Sequence, residues 1–385
     1  MTALETPHDR PPADLRALTT LRFLAAFWVV LYTAWPHLDV GFTPTAVTKG
    51  YLGVEVFFVL SGFILSHVYL ERAGTARFSY GGFLWARLAR VYPLHLVTLF
   101  GMVGLGVVAS FAGISVDHGL LDWGSLPAQL TLTHAWGLAP SSAFNHPSWS
   151  ISAEWFAYLA FPAFAFVAWR LRNRPVLATI LAAVFALALY AAFQPLAGFF
   201  LTEATFRWGA LRIVPCFALG CALYLVRRRA PVPHAGWLAA VAGAGLLIAA
   251  SIPLWDPIVV LCAGGLILGL GSLENGRMGV LGSGAGVYLG EISYSVYMVC
   301  APVLLVMTNL AAKVTGADDK RFHIIVWLGI VLAVPLVAAA TYHLVERPAR
   351  KALRGMSDRR SARRAAAKAR TDSPERRLQP SETIV

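Results

Sequence analysis

Ten stretches of this chain are apolar over close to the roughly 20 residues that a helix needs to cross a hydrocarbon core. They cover residues 17–35, 51–70, 91–114, 152–169, 176–193, 209–226, 236–253, 257–272, 287–310 and 324–345. In lipid each backbone N–H and C=O must be satisfied inside its own segment, so runs of this length fold as helices. A soluble reading does not survive the composition: charged residues make up only 14% of the chain, against roughly 25% in an average soluble domain. The expected fold is all-α, a polytopic membrane helical bundle of about ten transmembrane helices. Residues 1–14 read as a polar N-terminus, 15–352 as one membrane domain and 353–385 as a basic, solvated tail. The first apolar run contains Arg22 and continues past signal-peptide length, so it reads as a retained first helix.

Charge alternates along the connections. One side receives Arg10 and Arg16, then Arg72, Arg77, Arg87 and Arg90, then Arg170, Arg172 and Arg174, then Arg227, Arg228 and Arg229, then Arg277 and the tail. The other side receives Asp39, Asp117, Asp122, Glu203 and Asp256, with few bases before Lys313, Lys320 and Arg321. By the positive-inside rule both termini are cytoplasmic and the protein is a multi-pass protein of the cell (plasma or inner) membrane. Residues 347–385 carry 12 Lys/Arg against 4 Asp/Glu. Anionic lipid is the expected partner of that tail; nucleic acid is not, because no aromatic residues interleave with the charges. The longest outer connection, 115–151, is aromatic and modestly charged, and reads as an ordered cap.

Several chemistries lose their support. There is no phosphate-binding G-x-x-x-x-G-K-[ST], no G-x-S-x-G elbow and no H-E-x-x-H zinc motif. Cys216, Cys221, Cys262 and Cys300 lie in apolar stretches without metal-ligand spacing, so neither a metal nor a disulfide framework is expected.

Ionisable groups at membrane depth are costly and are candidate site residues for that reason. Arg22, Glu55, Glu154 and Arg212 stand at or within helix ends, with His67 and His95 at similar depth. Snorkelling to the interface is the alternative for the charged four, and hydrogen-bonded packing for the two histidines. Arg87 and Arg90 are three apart and share a helix face. Two guanidiniums side by side repel unless an anion lies between them, and phosphate suits arginine because the fork binds it bidentately. A positive-inside anchor is the plainer reading of that pair. Gly62 either permits close helix packing or borders a narrow channel.

Five segments in order then resemble the acyltransferase-3 family of integral membrane acyltransferases, which modify O-antigens, exopolysaccharides, peptidoglycan and some small molecules. They are Leu15-Arg16-Ala17-Leu18 through Leu21-Arg22-Phe23; Gly53-Val54-Glu55-Val56-Phe57-Phe58 through Ser61-Gly62-Phe63; and Arg87-Leu88-Ala89-Arg90-Val91-Tyr92-Pro93. The fourth is Asn145-His146-Pro147-Ser148-Trp149-Ser150-Ile151-Ser152-Ala153-Glu154, and the fifth joins Ser293-Tyr294-Ser295-Val296-Tyr297-Met298 to Val345-Glu346-Arg347-Pro348. The resemblance covers about residues 15–352. It implies ten helices around a central pore, acyl-coenzyme A as donor substrate entering from the cytoplasm, no bound cofactor, and a hydroxyl on a saccharide or glycolipid-like acceptor approached from outside. Arg87 and Arg90 would grip the donor phosphates with help from Arg22. Glu154 and Arg212 would form the acceptor-side polar site, paired or sharing the acceptor, with Trp149, Ser150 and Glu55 beside them.

Two positions depart from the family pattern. The family commonly has histidine eleven residues after the helix-one arginine, where this chain has Thr33, and often after the Ser-Tyr-x-x-Tyr run, where it has Cys300. Histidine at the first position would deprotonate the acceptor hydroxyl; threonine is no useful base at neutral pH. His37, one turn beyond Thr33, is the first substitute, although Pro36 bends or ends the helix there. His67, His146 and Glu154 are the other candidates. The function expected is O-acyl transfer, typically of acetyl. The competing reading is a catalytically lapsed family member acting as a transporter or binding protein.

Overall fold

The computed structural model describes residues 15–111, 120–273, 278–356 and 359. The N-terminus 1–14, residues 112–119 of the outer connection with Asp117 and His118, Arg277, and nearly all of the tail lie outside the described residues.

Each of the ten apolar runs coincides with a helix or a helix pair. The helices are α1 (Arg16–Ala34), α2 (Gly53–Gly74), α3 (Tyr80–Phe111), α4 (Ser148–Leu159), α5 (Phe161–Leu171), α6 (Pro175–Ala197), α7 (Gly209–Arg229), α8 (Ala235–Ser251), α9 (Asp256–Gly271), α10 (Gly284–Thr315) and α11 (Ile324–Thr341). Seven are long and apolar enough to cross a membrane; α4 and α5 together form a candidate eighth span, bent by 57°. Pro162 at the start of α5 cannot donate a backbone hydrogen bond, which accounts for the break. The last two, α8 and α9, have 17 and 16 residues. At 1.5 Å per residue they reach roughly 25 Å. Among the described residues the β structure is one isolated bridge, Leu38 to Phe322.

Two differences from the sequence reading bear on the site, and a proline figures in each. The third helix starts at Tyr80 rather than 91 and runs straight through Pro93, so Arg87 and Arg90 stand inside it rather than ahead of it. The proline removes one ladder donor while the apolar turns on either side hold the helix together. The first helix, in contrast, ends at Ala34; Pro36 falls in a 3₁₀ turn, Trp35–His37. His37 therefore does not continue the face that carries Thr33.

Small residues let helix backbones approach closely in the bundle. A Cβ at Gly62 would collide with the Phe217 carbonyl oxygen, and one at Gly220 with that of Val59. The backbones of α2 and α7 thus meet directly, which settles Gly62 as a packing residue. Helix α1 packs along α10, and α10 along α11. Over one end of the bundle, residues 120–147 fold into short helical turns. They are fastened to α4 by Ser152, whose hydroxyl donates to the Leu132 carbonyl (2.7 Å) and accepts from the Ala135 N–H (3.0 Å).

The glycine contact is testable. Gly62→Ala is expected to destabilise the purified protein by about 1–3 kcal/mol, the usual cost of overpacking, read as a lower thermal midpoint in detergent. Gly104→Ala on α3, where a Cβ meets open space, should leave the midpoint unchanged or slightly higher. Equal midpoints for both variants would disprove the close approach.

Candidate functional site

A cavity in the middle of the bundle is lined by five helices. Arg22 comes from α1, Ser61 with Phe57 and Phe58 from α2, Arg87 and Arg90 from α3, Ser150, Glu154 and Tyr158 from α4, and Tyr294 and Tyr297 from α10. The depth of each residue follows from helix rise. Arg22, Arg87 and Arg90 lie about two or three turns in from the basic end, where Arg72, Arg172 and Arg227 cluster. Ser150 and Glu154 lie within two turns of the opposite end, where α4 begins. The cavity thus joins a cationic half to a carboxylate-bearing half.

Glu154 is held from two directions. Ser61 donates to its Oε1 at 2.5 Å and Tyr158, one turn along α4, donates to its Oε2 at 2.9 Å. Its carboxylate is within electrostatic reach of Arg22. The arginines are held less fully. Arg87 reaches the Tyr69 hydroxyl at 3.5 Å and lies over that ring at 5.7 Å, and its Nε is buried without a hydrogen-bond partner. Among the described residues no carboxylate forms a salt bridge with Arg22, Arg87 or Arg90. Three guanidiniums converge on one cavity inside a membrane, and no described residue neutralises them at contact distance. Such an arrangement binds anions, because desolvated cations without partners are costly.

The expected pairing of Glu154 with Arg212 is not what the structure contains. Arg212 binds Glu55 through two parallel hydrogen bonds, Nε to Oε1 at 2.5 Å and Nη2 to Oε2 at 3.0 Å, and donates its third group to the Ala204 carbonyl at 2.9 Å. Both residues are almost fully buried, at 2% and 1% exposed. The guanidinium also lies over the Trp149 ring at 4.6 Å. Glu55, Arg212 and Trp149 do not line the cavity; they form a saturated cluster behind its wall. The reason is geometric: Ser150 and Glu154 are four apart and share a face of α4, whereas Trp149 lies on another.

Thr33 and His37 also lie outside the cavity lining. The Thr33 hydroxyl is spent on the Val29 carbonyl of its own helix at 2.9 Å. The His37 ring bonds the Lys320 carbonyl at 3.0 Å, where the connection between α10 and α11 returns. His67 accepts from Arg227 at 3.2 Å, and His95 bonds the Gln129 carbonyl at 3.0 Å while stacking on His134. Burial, and then neighbouring His95, push the His134 pKa down to about 3; its Nε2 bonds the Ser148 hydroxyl at 3.0 Å. Lining residues given no site role from the sequence include Ser61, Tyr158, Tyr294 and Tyr297. Tyr158 was detectable by its spacing of four from Glu154. No group of His, Cys, Asp or Glu among the described residues could hold a metal ion.

Comparison with known proteins places the chain in a family. The family described as an acyltransferase domain matches residues 15–344. The chain is 35% identical over 163 residues to "Acyltransferase MdmB" of Streptomyces mycarofaciens, a match covering 40% of each protein. It is 27% identical over 357 residues to "Putative membrane-bound transacylase BcsY" of Komagataeibacter xylinus, covering 88% of this chain and 83% of that one. It is also 31% identical over 159 residues to "Protein 2 in picA locus" of Rhizobium radiobacter, covering 37% and 78%. No solved structure matches.

The Glu55–Arg212 pair gives a clear test by double-mutant cycle. Glu55→Gln and Arg212→Gln are each expected to cost about 3–5 kcal/mol of stability, since either leaves a buried charge unpaired. The double variant should cost much less than the sum. Additive losses in thermal unfolding would show that the two side chains do not interact.

Proposed function

The chain belongs to the acyltransferase-3 family, and on that premise we propose that it transfers an acyl group, acetyl in the simplest case, from a coenzyme A thioester to a hydroxyl of a saccharide or related acceptor. The observation that carries this reading is the set of three arginines on one cavity without a contacting carboxylate. Coenzyme A brings several phosphate oxygens, and arginine is the side chain whose planar fork matches them. Arg87 and Arg90 take the phosphates from one helix face, and Arg22 faces them from α1.

The remaining parts follow from the depth of the cavity. A donor anchored by its phosphates near the basic end extends its pantetheine arm toward Ser150 and Glu154. Phe57, Phe58 and Tyr297 line that path and suit an apolar thioester. Glu154, fixed by Ser61 and Tyr158, is placed to accept a hydrogen bond from the acceptor and hold its hydroxyl toward the carbonyl carbon. The basic end is cytoplasmic in this reading, because coenzyme A is supplied there and the basic loops are retained there. Both termini then face the cytoplasm, with the acceptor entering beneath the 120–147 cap.

Two experiments test the reading. Arg87→Ala and Arg90→Ala should each weaken coenzyme A binding to the purified protein in nanodiscs by about tenfold or more, the equivalent of one lost charge-assisted hydrogen bond. Lysine at either position should rescue only part of it, and Arg174→Ala should have no effect. Equal affinity in all variants would return the pair to a topological anchor. Binding without thiol release on any acceptor would identify a lapsed enzyme. For orientation, cysteine labels at 227–229 should react only after the inner face is opened and labels at 138–142 from outside; the reverse pattern would overturn donor entry from the basic end.

A further inference from the structure

Five hydroxyls line the cavity, those of Ser61, Ser150, Tyr158, Tyr294 and Tyr297, and most already serve the protein. Ser61 and Tyr158 donate to Glu154 at 2.5 and 2.9 Å. Tyr294 donates to the Val91 carbonyl of α3 at 2.6 Å, and Ser150 to the Pro147 carbonyl at 3.2 Å. Tyr297 differs: among the described residues no carbonyl or carboxylate accepts its proton. The side chain beside its hydroxyl is Ser150, whose own hydrogen goes to Pro147, so the phenol faces a neutral hydroxyl oxygen.

The ring is fixed although its hydroxyl is not consumed. Tyr297 is 5% exposed and packs against Phe57 of α2, ring centroids 6.1 Å apart. Tyr294 and Tyr297 are three apart and share a face of α10. Tyr294 is bound to the residue that follows Arg90. Tyr297, about 4.5 Å further along the axis, therefore stands past the arginine layer, level with Ser150. A donor anchored by its phosphates and extended toward Ser150 and Glu154 carries its thioester carbonyl past this hydroxyl. The arginines are occupied a pantetheine arm away, and the Glu154 carboxylate repels negative charge. On that part of the wall, among the described residues, Tyr297 is the donor still open to an anionic oxygen.

We propose that Tyr297 is the oxyanion donor of the acyl transfer, the group that meets the negative charge developing on the thioester carbonyl oxygen. This rests on the acyl-transfer reading above. The acceptor oxygen forms its bond to the carbonyl carbon, and the carbonyl π pair moves onto its oxygen, where the phenol O–H receives it. The acceptor proton passes to the Glu154 carboxylate. The pair then returns as the carbon–sulfur bond breaks with its electrons leaving on sulfur, and the thiolate takes the proton from Glu154. Tyr297 keeps its own proton throughout, since a tyrosine hydroxyl ionises only near about pH 10. Exchanging a hydroxyl partner for an oxyanion turns an ordinary hydrogen bond into a charge-assisted one, roughly twice as strong. That gain exists only where the charge exists, so it lowers the barrier without tightening donor binding.

The test uses the full chain in nanodiscs with acetyl-coenzyme A and an accepting saccharide. Tyr297→Phe, which removes only the hydroxyl, should lower kcat by about 100-fold, the usual cost of one oxyanion donor, while coenzyme A affinity stays at the parent value. The second arm replaces the thioester carbonyl oxygen by sulfur, using acetyldithio-coenzyme A. Sulfur is a weak hydrogen-bond acceptor, so the parent-to-variant ratio of kcat should shrink toward one with that donor. Tyr294→Phe, which loses its bond to the Val91 carbonyl, should give the same ratio with both donors. A fully active Tyr297→Phe overturns this proposal alone. So does an equal loss with both donors, which marks a structural role, or a collapse of the ratio in Tyr294→Phe instead, which assigns the oxyanion to the other tyrosine. A parent chain that transfers no acyl group overturns both this proposal and the reading beneath it.

Discussion

A guanidinium inside a hydrocarbon layer must be matched by an anion or reach water, at a cost of several kcal/mol otherwise, and this bundle meets that demand in two ways. Arg212 is matched internally. Its three donor groups are taken by Glu55 and the Ala204 carbonyl, and its face by Trp149. That one side chain ties α2, α4, α7 and the segment before α7 together. Trp149 is the neighbour of Ser150, so fixing its ring also fixes the rotation of α4 and with it the direction of the polar stripe. Arg22, Arg87 and Arg90 are treated oppositely, left at the cavity wall without a contacting carboxylate. The saturated arginine is structural because it is saturated, and the others are available to a ligand because they are not.

The cationic half is moderated rather than neutralised. Glu346 is buried at 3% exposed, accepts from Ser295 at 2.8 Å, and lies within electrostatic reach of Arg90 and Arg22. It closes the π-helical turn Tyr342–Glu346 that interrupts the last long helix. A π turn adds one residue to the winding and re-aims the side chains beyond it, and here the carboxylate ends inside the bundle while Leu344 is 78% exposed. Glu154 and Glu346 together still leave an excess of positive charge near the cavity, enough to favour an anion without trapping it as a contact ion pair would.

Much of this was legible in the sequence because it depends on local pattern. Apolar runs of membrane length correspond to the helices, and the spacing of Arg87 and Arg90 places both on one face. The features that were not legible depend on contacts between distant segments. Glu55 and Arg212 are 157 residues apart, and nothing in either neighbourhood signals that they saturate each other rather than serve an acceptor. The prolines show the same limit. Pro36 ends a helix and Pro93 does not, since the outcome depends on whether the turns around it are packed. For that reason His37 leaves the helix face on which spacing alone would put it.

Thr33 and Cys300, where the family resemblance would place histidines, are neighbours across the α1–α10 contact. Neither lines the cavity. A hydroxyl and a thiol thus stand side by side between those helices, and the polar groups that do face the cavity are Arg22 of α1, Ser61 of α2, Arg87 and Arg90 of α3, Ser150, Glu154 and Tyr158 of α4, and Tyr294 and Tyr297 of α10.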